Sequence, residues 1–208
     1  MPGPSRKRKR KRRSTPPALT LPAAVTGDGI VLRAFRDDDV ETVREASRDP
    51  LIPDVTTVPR NADRRGALAY IARQHRRLRS GAGYSFAIAD ADDRAIGQIG
   101  LWPVRDDPGR ASIGYWIVES ERGHGHASAA LRALGEWAWS LPSLERLELF
   151  VEPWNTGSWK AAETAGFERE GLLRSWRVIR SERRDLFVYS RIRVPGEPNA
   201  GSAHRPGA

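Results

Sequence analysis

The sequence predicts an α/β fold in which helices cover both faces of a mixed β-sheet. Strand-like and helix-like patterns alternate along the chain, in the order strand, two helices, three strands, helix, strand, helix and two strands. A glycine-containing turn joins the central strand to the helix that follows it. No apolar run approaches the ~20 residues that a membrane span requires. Because the chain also lacks cysteine, we expect a cytoplasmic protein without disulfides.

The net charge of +9 is concentrated at one end of the chain. Residues 6–13 are all lysine or arginine and no acid precedes Asp28, whereas outside that run 27 basic residues face 26 acidic ones. The run repels itself and is followed by Pro, Ser and Thr, which predicts a disordered basic tail over residues 1–24. We expect one folded domain over residues 25–194 and a second loose tail over residues 195–208.

The basic run suggests a partner as well as disorder. Its charge favours weak contact with nucleic acid or the ribosome, and a protein that acts through this run is one functional hypothesis. The alternative is a solvated extension without a dedicated partner. The charge therefore defines what the tail can attract, and it leaves the activity of the domain open.

The first half of the domain begins with a strand over residues 30–35. Three consecutive acids at 37–39 suit the positive end of a helix dipole, and the helix that they start ends at residues 49–50, Asp-Pro. A Pro-containing, partly apolar connection follows over residues 51–59. A second helix comes next and stops before Gly81.

Turn sequences divide the second half of the domain. The acids and small residues from Asp90 to Arg94 separate two strand-like runs, as a hairpin turn does. Asn155 suits the start of a short helix, and Gly166 suits its end. The predicted strands are 84–89, 95–104, 111–118, 146–151, 167–179 and 184–193, and the predicted helices are 127–140 and 155–165.

The turn from Arg122 to Ala127 has the features of an anion-binding loop. The first N–H groups of a helix have no internal partners, and they lie at the positive end of its dipole. Gly123 and Gly125 let the backbone approach a ligand closely, so we predict a cradle for a pyrophosphate group. The alternative is an ordinary strand-to-helix connection, because the chain has neither a P-loop motif nor the third glycine of the dinucleotide fingerprint.

Three motifs together resemble one known family. The pattern Arg-x-x-Gly-x-Ala at residues 122–127, behind the strand Ile113-Gly114-Tyr115-Trp116, resembles the acyl-CoA-binding segment of the GCN5-related N-acetyltransferases, the GNAT family. The pair Asn155-x-x-Ser158 and Gly166-Phe167 is similar to the second half of a GNAT domain. The resemblance extends over residues 28–194.

Two further motifs are similar to the RimJ/RimL branch of that family, namely Leu32-Arg33 and Arg184-Asp185-x-x-x-Tyr189. That branch acetylates protein N-terminal amines, and relatives of it act on small amines. The resemblance implies a GNAT fold, with a mixed central sheet of about six or seven strands flanked by about four helices. It also implies a V-shaped splay between the fourth and fifth strands, 111–118 and 146–151.

The resemblance implies that acetyl-CoA, the co-substrate, enters this V. Backbone groups of Ile117 and Val118 would pair with the pantetheine arm, and Ser158 would lie near the thioester sulfur. Asn155 would bond the pantetheine amide, or alternatively only cap a helix. The residues implied to hold the pyrophosphate are Arg122, Gly123, His124, Gly125, His126, Ala127 and Ser128.

The implied reaction is acetyl transfer from acetyl-CoA to a primary amine, by direct attack in a ternary complex. Many GNAT domains place a tyrosine four residues before the glycine of Gly-Phe to protonate the leaving thiolate, but this chain has Ala162 there. Ser158 is therefore the candidate catalytic acid. The base stays open among Glu119, Glu148, Glu152 and a water chain, and no metal site is expected.

Acceptor specificity is expected in the connection Leu51–Val58 and around Trp102 and Trp176. Asp54 lies in that connection and would pair with a cationic amine, on either a protein N-terminus or a small molecule. The rival hypothesis is a non-catalytic acyl-CoA-binding module, motivated by the missing tyrosine and by Ser112, where relatives carry glutamate. Either a monomer or a homodimer is compatible with the sequence.

Overall fold

The computed structural model of the chain describes residues 19–194 and confirms the predicted mixed α/β architecture. The strands are β1 Val25–Gly27, β2 Ile30–Arg33, β3 Tyr84–Ala89, β4 Ala95–Pro103, β5 Arg110–Ile117, β6 Arg146–Val151, β7 Glu168–Ile179 and β8 Glu182–Ile192. The helices are α1 Val40–Arg48, α2 Ile52–Val55, α3 Arg64–Arg79, α4 His126–Ala138 and α5 Thr156–Thr164. The strands form one sheet in the order β1-β2-β3-β4-β5-β6-β8-β7.

The sheet divides where β5 meets β6. These two strands run parallel, whereas every other pair of neighbours is antiparallel. They are paired over a short stretch only, from Arg110 with Arg146 to Ser112 with Glu148. Beyond it, β5 continues to pair with β4 but not with β6. The predicted V-shaped splay between these strands is therefore confirmed.

Two short elements were absent from the prediction. The sheet has eight strands, whereas six or seven were predicted, because β1 forms an additional edge strand paired with β2. The turn between β1 and β2 contains Asp28 and Gly29, whose φ angles are 45° and 76°. Helix α2 lies within the predicted connection, and Pro53 occupies its first turn, where a helix tolerates proline. Elements of three or four residues are too short to show a periodic pattern.

Separate hydrophobic clusters lie on the two faces of the sheet. Helix α4 contributes Leu131 to one cluster, and helix α1 contributes Val43 to the other; both side chains are fully buried. Strand β5 contributes to both clusters, with Ile113 and Ile117 in the first and Trp116 in the second. The strand that forms one side of the V is therefore anchored on both faces.

Part of the segment 19–24, which the sequence assigns to the loose basic tail, lies against the domain. Leu19 and Leu21 pack on the cluster under α4, and the Leu19 N–H donates to the Leu78 carbonyl at 3.0 Å. The packed chain thus begins before the predicted boundary, because two leucines bury apolar surface there. The basic run at 6–13 and the predicted tail at 195–208 lie outside the described residues. Within the described range, no helix is long and apolar enough to cross a membrane.

Candidate active site

A cleft with two chambers opens where β5 and β6 separate. The loop-side chamber, of about 540 Å³, is walled by the turn 121–128 and one face of α5. The sheet-side chamber, of about 510 Å³, is walled by β5, by the end of β6 and by residues of α3, β4 and β7. Val55, Tyr115, Trp116, Asn155 and Ser158 line both chambers. The two chambers therefore meet at these five residues.

The turn before α4 has the backbone geometry of an open cradle. Gly123 and Gly125 adopt φ angles of 86° and 81°, a left-handed conformation that favours glycine. A Cβ at either position would meet no atom within 4 Å, so the space in front of the turn is free. The first N–H groups of α4, from His126 to Ser128, lack a helical partner by geometry. The arrangement suits an anion.

Arg122 fastens this turn to the rest of the domain. Its Nε donates to the Ile117 carbonyl at 3.1 Å, and its Nη2 donates to Asp49 Oδ2 at 2.5 Å. Burial raises the pKa of the Asp49 carboxyl, but hydrogen bonds from the N–H groups of Ile52 and Leu51 and from Arg122 outweigh burial, and the pKa lies below its usual value. Arg122 therefore lines the chamber with two of its five N–H donors already used.

The two histidines of the turn differ in exposure. His124 is exposed, whereas His126 is half-buried on the wall of the loop-side chamber. With Glu121 they form a cluster whose potential metal-ligand atoms lie within 4.8 Å of one another. Glu121 already accepts a hydrogen bond from Arg94 at 2.6 Å, and the cluster lies at the positive end of α4. Both features oppose a cation, so the turn suits an anion better than a metal.

The end of β5 presents part of its backbone to the cleft. The Val118 N–H donates to the Ile96 carbonyl at 3.0 Å, and the Val118 carbonyl accepts from the Glu121 N–H at 3.1 Å. The Val118 N–H is thus used within the sheet, whereas its carbonyl keeps a second lone pair, so the expected pairing of Val118 with a pantetheine arm stays a prediction for the carbonyl. In an antiparallel pair, alternate residues turn their backbone groups to opposite edges. Ile117 and Tyr115 therefore direct their N–H groups away from β4 and into the cleft.

Ser158 forms a hydroxyl pair with Tyr115 at the junction of the chambers. The Tyr115 hydroxyl lies 2.8 Å from Ser158 Oγ, a contact in which either oxygen can donate, and it donates to the Ser158 carbonyl at 3.2 Å. Burial raises the pKa of the Tyr115 phenol, and the hydrogen bond with Ser158 offsets part of that rise. The phenol thus keeps its proton at neutral pH and can donate it.

Sequence reasoning did not select Tyr115 as a site residue. A usable signal was its position, since strand alternation puts it on the same face as Ile113 and Ile117, and a buried phenol on that face needs a polar partner. Asn155, in turn, caps α5 by accepting from the Ser158 N–H at 3.2 Å. The cap uses its side-chain oxygen, and Asn155 still lines both chambers.

Glu148, one of three candidate bases, is held by arginines. Its carboxylate accepts from Arg110 at 2.9 Å and from Arg146 at 2.6 Å. Burial raises the pKa of Glu148, but the two arginines outweigh burial and lower the pKa overall. A carboxylate stabilised in this way is a weak proton acceptor. Glu148 lines neither chamber and is best understood as part of the framework.

Of the other two candidates, Glu152 is the one in the cleft. It is buried, it lines the sheet-side chamber, and its contact with Arg184 is long, at 3.9 Å. Glu119 is exposed and lines neither chamber. Among residues 19–194, Glu152 is therefore the one acid in the lining of the sheet-side chamber.

Asp54 is not available to an incoming amine. Its carboxylate accepts hydrogen bonds from Arg60 at 2.5 Å and from Arg180. Desolvation raises the pKa of Asp54, but the two arginines outweigh it and lower the pKa overall. Of the two tryptophans that the sequence associates with specificity, Trp102 lines the sheet-side chamber. Trp176 is 54% exposed and lines neither chamber, whereas its neighbour Arg177 lines the sheet-side chamber.

A family model for the acetyltransferase (GNAT) domain matches residues 30–168, which include both strands of the V, the turn before α4 and Ser158. The chain belongs to the GNAT family.

Among the curated proteins similar to this GNAT domain is p20 of Bacillus licheniformis, an uncharacterized N-acetyltransferase, with 33% identity over 106 residues. That alignment covers 51% of this chain and 60% of p20, so the chain spans less than two thirds of that relative. YoaA of Bacillus subtilis, another uncharacterized N-acetyltransferase, is 25% identical over 173 residues, covering 80% of this chain and 94% of YoaA.

Solved structures of other GNAT proteins share the fold. RimJ of Mycobacterium smegmatis, in complex with CoA-disulfide, is 26% identical to this chain and gives a TM-score of 0.69. The superposition covers 81% of this chain and 85% of the RimJ chain. A GNAT-family acetyltransferase of Bacillus anthracis gives the same TM-score of 0.69 at 19% identity, covering 81% of this chain and 98% of that one. The second likeness bears on the fold alone.

Proposed function

We propose that this protein transfers an acetyl group from acetyl-CoA to a primary amine, by direct attack of the amine in a ternary complex. The observation that carries the proposal is the meeting of the two chambers at the Tyr115–Ser158 pair. One chamber starts at an anion-binding turn, and the other contains a carboxylate, Glu152. Two substrates bound one in each chamber would meet at a pair of proton-donating hydroxyls.

The loop-side chamber suits acetyl-CoA as the acetyl donor. The free space at Gly123 and Gly125 leaves room for a pyrophosphate, and the N–H groups that open α4 supply hydrogen-bond donors. The Ile117 N–H faces the gap and would pair with an amide of the pantetheine arm, as the N–H of an edge strand does. The complex of M. smegmatis RimJ with CoA-disulfide supports this assignment.

Glu152 and the hydroxyl pair at the junction would divide the proton transfers between them. Glu152 would take the proton that the amine must lose as its nitrogen forms a bond to the acetyl carbon. The N–H of Tyr115 would stabilise the oxyanion, since that of Ile117 pairs with the pantetheine arm, and losing such a donor typically costs ~10²–10³ in rate. As the carbon–sulfur bond breaks, the Tyr115–Ser158 pair would return a proton to the thiolate.

Steady-state kinetics with a panel of amines test the proposal. We expect CoA release that depends on the amine, with intersecting double-reciprocal lines, because both substrates are bound before transfer; an acetyl-enzyme would give parallel lines. Calorimetry with CoA is the companion measurement. No CoA binding at millimolar concentration would refute the proposal. Binding without turnover on any amine would favour the non-catalytic acyl-CoA-binding module.

A further inference from the structure

The charged side chains of the sheet-side chamber are unusual for a site that takes a simple amine. Within the described chain, its lining contains one acid, Glu152, and two cations, Arg77 and Arg177. An amine is itself cationic at neutral pH, so a chamber with excess positive charge repels it. A second group on the substrate, with negative charge, would reverse that balance.

Arg77 is held on a platform made by Trp102 and by glycines. The Arg77 guanidinium lies 4.8 Å from the centre of the Trp102 ring, a cation–π contact. Trp102 can lie there because Gly83 and Gly100 are beneath it, and a Cβ at either position would collide with the indole ring. The platform thus depends on two residues that have no side chain. It fixes the guanidinium on the chamber wall.

The Arg77 guanidinium donates its hydrogen bonds to neutral acceptors. Its Nη1 donates to Gln74 Oε1 at 2.9 Å, and its Nη2 donates to Thr57 Oγ1 at 3.0 Å. Gln74 is in turn fixed by a buried chain of polar side chains, since its Oε1 also accepts from Ser85 Oγ, 3.1 Å away, and Ser85 accepts from Gln98. Among residues 19–194, no carboxylate lies within 4 Å of the guanidinium.

This half-buried cation therefore lacks a counter-charge inside the described part of the protein. Burial lowers the pKa of the Arg77 guanidinium, and the nearby Arg73 lowers it further, while Tyr70 partly opposes them. Other arginines that lie close to the core, such as Arg33 and Arg146, form ion pairs with carboxylates. An uncompensated guanidinium in a cleft is costly unless a ligand supplies the negative charge.

We propose that the sheet-side chamber accepts an amine that also carries an anionic group, and that Arg77 on its Trp102 platform binds that group. The amine end would face Glu152. Trp102 belongs to β4 and Glu152 follows β6, and β5 and the gap lie between these two strands, so a substrate with both charges would extend from one side of the chamber towards the other. A small amino acid and an acidic protein N-terminus share this chemistry. The inference rests on the proposed acetyl transfer.

Two matched pairs of acceptors test the inference. One pair is L-methionine and L-methioninamide, and the other is the tripeptide amides Ser-Asp-Phe and Ser-Asn-Phe. The measured quantity is the ratio of kcat/KM between the acid and the amide of each pair, compared between the wild type and Arg77→Met. Comparing enzymes in this way cancels the different basicities of the amines. We expect the ratio to fall about 10- to 100-fold, as for loss of a charge-assisted hydrogen bond.

The control is Arg76→Met, which removes the same charge from the neighbouring, exposed position on α3. It should leave both ratios within about twofold, whereas Arg77→Lys should retain part of the preference. A change in the methionine pair alone identifies a small zwitterion, and a change in the peptide pair alone identifies an acidic N-terminus. Ratios in Arg77→Met within twofold of the wild type for both pairs would overturn the inference. Arg77→Gln replaces Arg77→Met if the latter does not fold.

A separate measurement distinguishes this inference from the proposed function. If no amine is acetylated, the proposed function fails, and calorimetry with N-acetyl-L-methionine and N-acetyl-L-methioninamide then tests the anion site without turnover. Binding of the acid that is weakened at least tenfold in Arg77→Met supports the inference. Equal binding of acid and amide, or no binding of either to the wild type, contradicts it.

Discussion

At the scale of single residues, the phenol at the junction of the two chambers belongs to Tyr115 of β5, because α5 carries no tyrosine. Ala162, where many GNAT domains have tyrosine, is fully buried, so a larger side chain there has no space. The Tyr115 hydroxyl instead approaches from β5 and lies 2.8 Å from Ser158 Oγ. A proton donor is thus provided from the strand side of the cleft.

Substituting Tyr115→Phe removes this hydroxyl and keeps the ring. We expect kcat to fall about 10- to 100-fold with the KM for acetyl-CoA nearly unchanged, because proton donation to the thiolate is lost. The double variant with Ser158→Ala should be little slower than the slower single variant, since the two hydroxyls act as a unit. Tyr84→Phe, which alters a phenol outside both chambers, is the control. Full kcat in both single variants would contradict the donor role.

Glu152→Gln keeps the shape of the side chain and removes its ability to accept a proton. We expect kcat/KM for the amine to fall at least about 100-fold, because the amine then lacks a proton acceptor. Glu148→Gln should instead lower the melting temperature, because Arg110 and Arg146 lose a buried partner. If Glu152→Gln retains full activity while Glu148→Gln is inactive yet stable, the base has been assigned to the wrong carboxylate.

At the scale of elements, the ligand binding that we propose for the turn before α4 depends on an unusual backbone conformation. A side chain at Gly125 meets no atom, but its φ of 81° is strained for any other residue, at about 1–2 kcal/mol. We expect Gly125→Val to lower stability by that amount and to raise the KM for acetyl-CoA at least tenfold, because the side chain projects into the cradle.

Gly29→Val is the matched control for that variant. Gly29 has a φ of 76° and equally free surroundings, in the β1–β2 hairpin away from the cleft. Gly29→Val should lower the melting temperature by a similar amount and leave the KM for acetyl-CoA unchanged. Similar KM values in both glycine variants would show that the turn does not hold the pyrophosphate.

Elements with a strong local pattern were predictable from the sequence. Strands β3 and β6 have the predicted boundaries, because apolar runs bounded by turn residues define them locally. The glycine-containing turn before α4 was likewise visible, since glycines and a helix start are local features. Strand β1 and helix α2 carry no period, and both were missed.

The contacts that give the candidate site its chemistry could not be derived in this way. Tyr115 and Ser158 are 43 positions apart, and Arg122 and Asp49 are 73 positions apart. Such pairs depend on how whole elements pack, which no local pattern encodes. The expectation for Asp54 failed for the same reason, because Arg180 reaches it from 126 positions along the chain.

At the scale of the whole molecule, an ion cluster closes the sheet below the V. Arg146 bridges Glu148 and Glu170, and Ser190 of β8 also donates to Glu170, at 2.6 Å. Hydrogen bonds from Arg146 and then Ser190 lower the pKa of Glu170 to about 2. The cluster thus links β6, β7 and β8 where the two halves of the sheet still touch.

The low pKa of Glu170 predicts how stability responds to acid. The unfolded chain takes up this proton near the ordinary value of 4.5, whereas the folded protein resists it until about pH 2. The contribution is therefore fully present above pH 4.5 and is lost as the pH falls towards 2. Glu170→Gln should flatten the decline of melting temperature across this window, modestly because the side chain is 41% exposed. Glu168→Gln, on the same strand, is the control, and equal slopes in all three proteins would exclude the effect.

The basic run at residues 6–13 gives a prediction for the full chain. Removing residues 1–18 should weaken retention on duplex DNA and make the salt dependence shallower, by about 0.9 in log–log slope for each phosphate that the run neutralises. The cut stops before Leu19 because that residue packs on the domain. Acetyl transfer should continue unchanged. Retention that does not respond to the truncation would assign the run no role in nucleic-acid binding.

The short pairing between β5 and β6 has a consequence for how the protein tolerates heat. Past Ser112 and Glu148, within the described chain, the facing edges of these strands have no strand between them. An extended ligand that lies in the gap takes the place of that strand and binds only the folded state. At one hundred times its dissociation constant, such a ligand stabilises the fold by about 2.7 kcal/mol. The thermal endurance of this molecule is therefore set partly by the concentration of whatever fills the gap.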